Sequence, residues 1–421
     1  MHLHLAGINH LTAALNIREK TAISLEKLPG FLSQLQTYVP EGIILSTCNR
    51  TEVYTVGTDS DILKNSSLSF LAERLNIHPS DSLQYIYLSS DLEAAEHLFR
   101  VASGLESMII GEYEVLSQVS QALATADQVG MVNKPLRHIF QSAITTGRRV
   151  RQETNISRNA LSTSSLAVDL ATRVLGDIQN SKIIIIGAGE AGRLVIKVAR
   201  ERGATQVIVA SRTYARAEAL AQQLNGIPID FNSLQHELST AQIVVTCSSA
   251  PHWVLDTRRI AQIMNTRSHN PLVIIDIAVP RNVEPSIAEI ENVSLYNIDD
   301  LIEIIKVNRE KREIEIGKAE EIIASEIGIF NQWWQELEVQ PIISAIMNRA
   351  ESIRDMQLKK TMKKFNSLSS KEQASLEAMT RSIVTRILHD PIQYLKISSE
   401  KNREMLPLIA EMFKLDRYKP K

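Results

Sequence analysis

Ser181-Lys182-Ile183-Ile184-Ile185-Ile186-Gly187-Ala188-Gly189-Glu190-Ala191-Gly192-Arg193-Leu194 sets the architecture of the middle of this chain. Four consecutive isoleucines predict a strand covered on both faces, as in a parallel sheet. The strand runs into Gly-x-Gly-x-x-Gly and then a helical pattern. Gly187 permits a tight turn, Gly189 lets a pyrophosphate approach the backbone, and Gly192 lets the helix pack close to the strand. The helix start, with Ala188, Glu190 and Ala191, directs its amides at the phosphates. A bare glycine pattern says little. This one lies between strand and helix and is followed by a second strand, Gln206-Val207-Ile208-Val209-Ala210, which makes it a dinucleotide-binding unit. The second strand ends in Ser211-Arg212-Thr213, where an NAD site presents Asp or Glu to the ribose 2′-hydroxyl. A hydroxyl and a guanidinium suit a 2′-phosphate, so the expected cofactor is NADPH. Further strands are expected at Gln242–Thr246 and Leu272–Ile277.

Toward the N-terminus, Gly42-Ile43-Ile44-Leu45 predicts a buried strand that ends in Ser46-Thr47-Cys48-Asn49-Arg50. A lone thiol there has two readings. It is a small buried hydrophobe, the common fate of a free cysteine, or a nucleophile whose thiolate a nearby cation favours. Cys247, after the strand Ile243–Thr246, is a rival nucleophile, but small residues surround it and no cation is near in sequence. Around these lie an alternating strand at His2–Asn9, two short helices between Ile17 and Tyr38 parted at Pro29-Gly30, and a strand over Thr51–Val56. A helix over Ser66–Leu75, a short strand at Tyr85–Tyr87 and a helix capped by Asp91 follow. Strands and helices mix without repeat, so the first part of the chain is α+β. Within it, His97 to Glu112 places two glycines around an apolar segment carrying Ser107. A histidine on such a helix is either a satisfied core residue or an acid-base group, and spacing alone leaves both open. The helix Asn133–Glu153 ends in Arg148, Arg149 and Arg151, which form a solvated face or a phosphate-contacting patch.

From Asp300 to Gln340 there is one internal glycine and no proline, which predicts a helix of about 60 Å, a connecting strut closed by Pro341. Helices over Ile342–Met362, Ser370–His389 and Glu400–Phe413 carry apolar stripes too small to bury much alone, as in a homodimerisation unit. The chain has 421 residues, enough for about three domains. Its formal net charge of -2 advertises no overall basic field for nucleic acid. Two cysteines make no disulfide framework and fit a reducing compartment. No signal-peptide pattern opens the chain and no apolar run approaches a membrane span, so a cytoplasmic protein without membrane attachment is expected.

Several segments together resemble the glutamyl-tRNA reductase family: Gly7-Ile8-Asn9-His10, Ser46 to Glu52, His97 to Glu112, Gly187 to Glu190, and Asp276-Ile277-Ala278-Val279-Pro280-Arg281. The resemblance runs through the long helix and is weakest in the tail. It implies an α+β N-terminal catalytic domain (1–158), an α/β Rossmann-like NADP-binding domain (159–299), and a long connecting helix with an all-α C-terminal dimerisation domain (300–421). The implied reaction is NADPH-dependent reduction of glutamate-charged tRNA to glutamate-1-semialdehyde through a cysteine thioester, the first committed step of tetrapyrrole synthesis. By the same resemblance Cys48 is the nucleophile and His97 an orienting or acid-base group. Thr47, Asn49 and Arg50 belong to the glutamate site, with Arg50 gripping the substrate carboxylate, and Ser107, Glu112, Tyr113, Glu114 and Gln118 occupy further substrate positions. Gly187 to Gly192 match the NADP site, and no metal is implied. A homodimer is implied, and the aminomutase that takes the semialdehyde is a candidate partner. The chain departs from the family pattern at Glu114 and Ser117, where Gln and Gly are usual. The alternative is an NADP-dependent dehydrogenase of a free small molecule, since Gly187 to Thr213 also resembles shikimate-dehydrogenase-type domains. Such an enzyme has no use for a separate cysteine-bearing domain or a strut.

Overall fold

The structure, a computed structural model, describes residues 1–157, 162–176, 178–267, 270–301, 313–365, 368–397 and 406–415. The chain forms two compact units, His2–Ala324 and Ser325–Lys421. In the first, β1 (His2–Asn9), α1 (Leu15–Thr21), α2 (Leu28–Leu35), β2 (Gly42–Ser46) and β3 (Arg50–Gly57) come first. Then follow α3 (Ser60–Leu75), α4 (Pro79–Ser82), β4 (Tyr87–Ser90), α5 (Asp91–Ser103), α6 (Glu114–Gln128) and α7 (Lys134–Glu153). The strands make an antiparallel sheet in the order β2-β3-β1-β4. Leu3, Leu5 and Ile43 bury one face of this sheet in the core, and Ile8, Ile44 and Val53 bury the other. On α7, Leu136, Ile139, Phe140, Ala143 and Gly147 repeat at helical spacing and face that core. At Gly147 the helix backbones nearly touch: a Cβ there would lie 2.5 Å from the Ala102 carbonyl oxygen of α5.

Next come α8 (Thr163–Leu175), β5 (Lys182–Ile186), α9 (Glu190–Glu201), β6 (Gln206–Ala210), α10 (Tyr214–Gln223) and β7 (Ile227–Ile229). After them lie α11 (Leu234–Leu238), β8 (Ile243–Thr246), α12 (Thr257–Met264), β9 (Leu272–Asp276) and β10 (Val293–Asn297). The strands are parallel, in the doubly wound order β7-β6-β5-β8-β9-β10. The four isoleucines divide between the faces as a two-sided sheet demands. Ile183 and Ile185 pack with Leu166, Val195 and Ile196, while Ile184 and Ile186 pack with Leu234, Ile260 and Ile263. The order reverses between β5 and β8, and a dinucleotide belongs at the carboxyl ends of those strands.

A helix over Glu313–Met362 starts in the first unit and continues into the second, which also holds helices Ser370–Ile397 and Leu406–Met412. The expected stop at Pro341 does not occur, nor does one at Pro391. A proline inside a helix costs about 3 kcal/mol. Here Ile342, Ile343 and Ile346, just beyond Pro341, are buried with Leu388, Leu395 and Leu406, and that packing holds the interrupted turns in place. Asp300 and Leu301 are helical, as expected of the start of the long helix, whose continuation over 302–312 lies outside the described residues, as does the expected start of the last helix, within 398–405. Among the described residues, no helix is long and apolar enough to cross a membrane.

Local expectations differ in three further places. Asp91 does not cap α5; its carboxylate instead accepts from the Leu3 amide at 3.0 Å and His2 Nδ1 at 3.2 Å, tying the helix start to β1. The strand expected at Tyr85–Tyr87 is β4, Tyr87–Ser90. Pro29 does not separate two helices but sits in the first turn of α2, where its missing N–H has no partner to lose.

Candidate active site

The β2–β3 connection presents Cys48 on a turn shaped by Thr47. Its hydroxyl accepts the amides of Asn49 (3.1 Å) and Arg50 (3.2 Å), and the Thr47 amide donates to the Arg50 carbonyl at 2.8 Å. Outside groups fix the turn. The His10 amide donates to the Asn49 carbonyl at 3.0 Å, and Arg18 Nη1 donates to the Cys48 carbonyl, also at 3.0 Å. Thr47 therefore holds the Cys48 loop. Asn49 Oδ1 and His10 Nδ1 are buried there with no hydrogen-bond partner among the described residues. Burial, with the Arg50 and Arg18 guanidinium groups, pushes His10 down to about 4, so its ring is neutral.

Arg50 is engaged within the protein. Period-2 alternation puts Arg50 and Glu52 on one side of β3, and Arg50 Nη1 donates to Glu52 Oε1 at 2.8 Å while Nη2 donates to the Glu106 carbonyl. Its guanidinium is buried, and Glu52 with the Glu106 carbonyl fixes its orientation. Glu52 is fully buried and collects three more donors: Tyr54 at 2.7 Å, Tyr87 at 2.6 Å and His97 Nε2 at 2.9 Å. Burial opposes its ionisation, but Arg50, His97 and Tyr54 outweigh burial and hold the carboxyl well below the usual range. A carboxylate can only accept, so His97 donates to it through Nε2–H. Glycine at position 7 makes room: Gly7 pairs with both Glu52 and Tyr87, and a Cβ there would lie 2.5 Å from the Tyr87 ring. Glu52 lies in the signature stretch, yet its role rests on Tyr87 and His97, which sequence spacing does not place.

The loop from α5 to α6 carries the remaining candidates. Gly104 (φ +79°) and Gly111 (φ +84°) adopt left-handed conformations, and the Gly111 amide donates to the Gly104 carbonyl at 2.9 Å, closing the loop that holds Ser107. Arg151 Nη2 donates to the Glu112 carbonyl at 2.9 Å and Nη1 to Ala102 and Gly147 carbonyls, each at 2.7 Å. Arg151 thus braces the loop from within. Arg149 pairs with Glu153 and Arg137 with Asp127, so most of the basic stretch on α7 is internally matched. Glu112 is buried, Glu114 and Gln118 half-buried, and Tyr113 exposed. Burial raises the Glu112 carboxyl against Ser107, Arg50 and Arg151. Burial, with Glu112 and Glu190 as anionic neighbours, pushes Glu114 up to about 7.

At the nucleotide turn Gly187 has φ +132°, and a Cβ there would meet the Cys247 backbone and Sγ within 2.9 Å. A Cβ on Gly192 would fall 2.1 Å from the Gly187 carbonyl, whereas one on Gly189 meets nothing within 4 Å. Two glycines are thus needed for packing and the third leaves open space where a pyrophosphate would lie, so the turn fits a dinucleotide. Ala188 and Ala191 are partly buried, and Glu190 is paired with Arg193 at the start of α9. Ser211 is half-buried and Arg212 exposed at the end of β6. Cys247 sits under the turn with Sγ 3.6 Å from the Ile186 and Gly187 carbonyls. Burial, with Asp276, pushes its thiol up to about 12. It is a packing residue.

Asp276 organises the next loop. Its carboxylate accepts from Thr246 Oγ1 (2.7 Å) and from the amides of Ala278 (3.1 Å), Asn282 (2.8 Å) and Val283 (3.0 Å). Val279 of that loop and Cys48 pack against the same apolar cluster, Leu15, Met108 and Ile298. Burial, with Glu112 and Glu114, raises the Cys48 thiol, and Arg18 opposes this without cancelling it. The cation beside Cys48 is therefore Arg18, thirty residues distant in sequence, and in this arrangement the thiol is neutral.

Comparison with known families follows this geometry. Residues 6–154 match the glutamyl-tRNAGlu reductase N-terminal domain, 169–304 the shikimate / quinate 5-dehydrogenase domain, and 318–415 the glutamyl-tRNAGlu reductase dimerisation domain. A glutamyl-tRNA reductase of Natranaerobius thermophilus is 38% identical over 99% of this chain and 92% of its own length. One of Carboxydothermus hydrogenoformans is 38% identical over 94% of this chain and 88% of its own. A solved glutamyl-tRNA reductase from Methanopyrus kandleri is 33% identical, covering 96% of this chain and 99% of that one, with a TM-score of 0.49. The chain belongs to the glutamyl-tRNA reductase family.

Proposed function

We propose that this chain reduces glutamyl-tRNA to glutamate-1-semialdehyde with Cys48 as acyl acceptor. The observation that supports this reading is the seating of the Cys48 turn against Val279 and Ile298, at the carboxyl end of the nucleotide-binding sheet. Cys48 Sγ, after losing its proton, attacks the ester carbonyl carbon. The ester C–O bond breaks, the terminal ribose hydroxyl leaves with a proton, and a thioester forms. Thiolate is a strong nucleophile, and its thioester stays electrophilic enough to be reduced. Reduction of that thioester to the aldehyde breaks the C–S bond and returns the Cys48 thiolate, with the hydride that NADPH would supply when bound. Gly187 to Gly192 would hold its pyrophosphate, and Ser211 with Arg212 would favour the 2′-phosphate of NADPH over NADH.

Glu112 and Glu114 carry the anionic charge that meets the substrate's α-ammonium, and in doing so the ammonium relieves two of the groups that raise the Cys48 thiol. Asn49 Oδ1 offers a further buried acceptor. His97, held by Glu52 through Nε2–H, orients or exchanges a proton with the reacting group, while Ser107, Tyr113 and Gln118 line the substrate side. The organisation into 1–158, 159–299 and 300–421 assigns acylation, nucleotide binding and homodimerisation in that order. Exposed Met379, Ile383 and Ile387 form one apolar stripe of the dimer face. Incubating the enzyme with charged tRNA and NADPH should oxidise NADPH. Turnover of free glutamate but not of glutamyl-tRNA would refute the reading.

A further inference from the structure

The two halves of the first unit meet through neighbouring residues of opposite charge. Arg18 and Glu19 lie in the middle of α1, and Arg18 reaches the Cys48 turn. Arg18 is buried and pairs with Asp299, just past β10, while also donating to the Cys48 carbonyl. Glu19 accepts Nε and Nη2 of Arg281 at 2.9 and 2.7 Å and the Arg281 amide at 3.3 Å. Both side chains of that pair are largely buried, with 24% and 20% exposure. Between the two pairs lies the apolar cluster of Cys48, Val279 and Ile298. A third cross-contact, Arg216 to Glu26 at 3.8 Å, is exposed and adds little.

The charge order matters. A cation followed by an anion on α1 faces an anion after β10 and a cation after β9, so the match fails if either half slides or rotates. Each pair is anchored to a group the chemistry uses: Arg18 to the Cys48 backbone, and Arg281 to the loop that Asp276 fixes beside the nucleotide turn. An apolar contact alone carries no direction, whereas a bidentate guanidinium–carboxylate pair does. Seated, this junction packs Val279 and Ile298 into the same cluster as the partly exposed Cys48, and the tRNA end that delivers the acyl group needs that side withdrawn.

We propose that Glu19–Arg281, together with Arg18–Asp299, is a two-point clamp that seats the nucleotide-binding sheet on the Cys48 loop for reduction and opens for acylation. Glu19, Arg281 and Asp299 are positioning residues in this scheme. The inference rests on Cys48 being the acyl acceptor.

The test uses the full-length enzyme with Glu19→Arg, Arg281→Glu and the double swap. Three rates are read: iodoacetamide alkylation of Cys48 without cofactor, acylation of Cys48 by glutamyl-tRNA without NADPH, and NADPH oxidation with glutamyl-tRNA. Each single variant should alkylate about tenfold faster and oxidise NADPH about tenfold slower, as expected on losing a bidentate charge-assisted contact. Acylation should be no slower than in the parent. The swap, which restores the pair with its charges exchanged, should bring alkylation and oxidation back to within about threefold. Unchanged alkylation in the single variants, acylation and oxidation falling together, or no recovery in the swap would each overturn the clamp. A parent enzyme that is never acylated at Cys48 would overturn the proposed function instead, and the alkylation rates would still report on the clamp.

Discussion

Burial and two anionic neighbours disfavour the ionisation of Glu114. Its folded-state value, about 7, lies above the ordinary carboxylate range, so the folded chain binds a proton that the unfolded chain releases. That difference stabilises the fold at acid pH and is lost as pH rises from the ordinary value through 7. Replacing Glu114 by Gln should therefore raise stability by about 1–3 kcal/mol at pH 8 and by much less at pH 5, measured by thermal unfolding at both. The same change removes an anion that raises the Cys48 thiol, so alkylation of Cys48 should quicken. Glu52 gives the opposite case. Glu52→Gln leaves Arg50 buried without its counter-charge and should destabilise by about 3–5 kcal/mol in chemical denaturation. Because the amide can also donate, the proton on His97 Nε2 is no longer enforced. The Arg50–Glu52 pairing was legible in principle, since residues two apart on a strand share a face. The adjacency of Cys48 and Arg50 in sequence suggested a cation at the thiol instead. The turn at Thr47 and Asn49 carries the two side chains apart, and Arg18 takes that place.

At the scale of elements, legibility follows how local the determinants are. The strand–turn–helix around Gly187 was readable because every requirement lies within fourteen consecutive residues. The junction was not, since Glu19 and Arg281 are 262 positions apart. Pro341 shows the reverse failure: a local rule was overruled by Ile342, Ile343 and Ile346 packing against a neighbouring helix. The α5–α7 crossing makes a direct prediction. Gly147→Ala places a Cβ 2.5 Å from the Ala102 carbonyl, so the helices must part, and Arg151 loses its grip on both that carbonyl and the Glu112 loop. A loss of about 2–4 kcal/mol in urea unfolding is expected, together with a weaker KM for glutamyl-tRNA. An unchanged unfolding midpoint would show that the close approach is unimportant.

At the scale of the molecule, the chain joins the Cys48 turn on one sheet to the Gly187 nucleotide turn on another, and adds a helical unit with exposed apolar side chains. Ile383→Lys with Ile387→Lys should shift sedimentation from dimer to monomer, since two charges then enter an apolar stripe. A dimer of unchanged mass would place the subunit contact elsewhere. The assignment on which everything else depends is the acyl acceptor. Cys48 and Cys247 both follow strands at the ends of their sheets, but Cys247 Sγ is packed beneath the Gly187 turn whereas Cys48 stands on a braced loop facing the other half of the unit. The direct measurement is mass spectrometry of enzyme quenched in acid after mixing with glutamyl-tRNA and no NADPH. A glutamyl adduct on the peptide containing Cys48, absent in Cys48→Ser and retained in Cys247→Ser, is the predicted result; an adduct on Cys247, or one that survives Cys48→Ser, would contradict it.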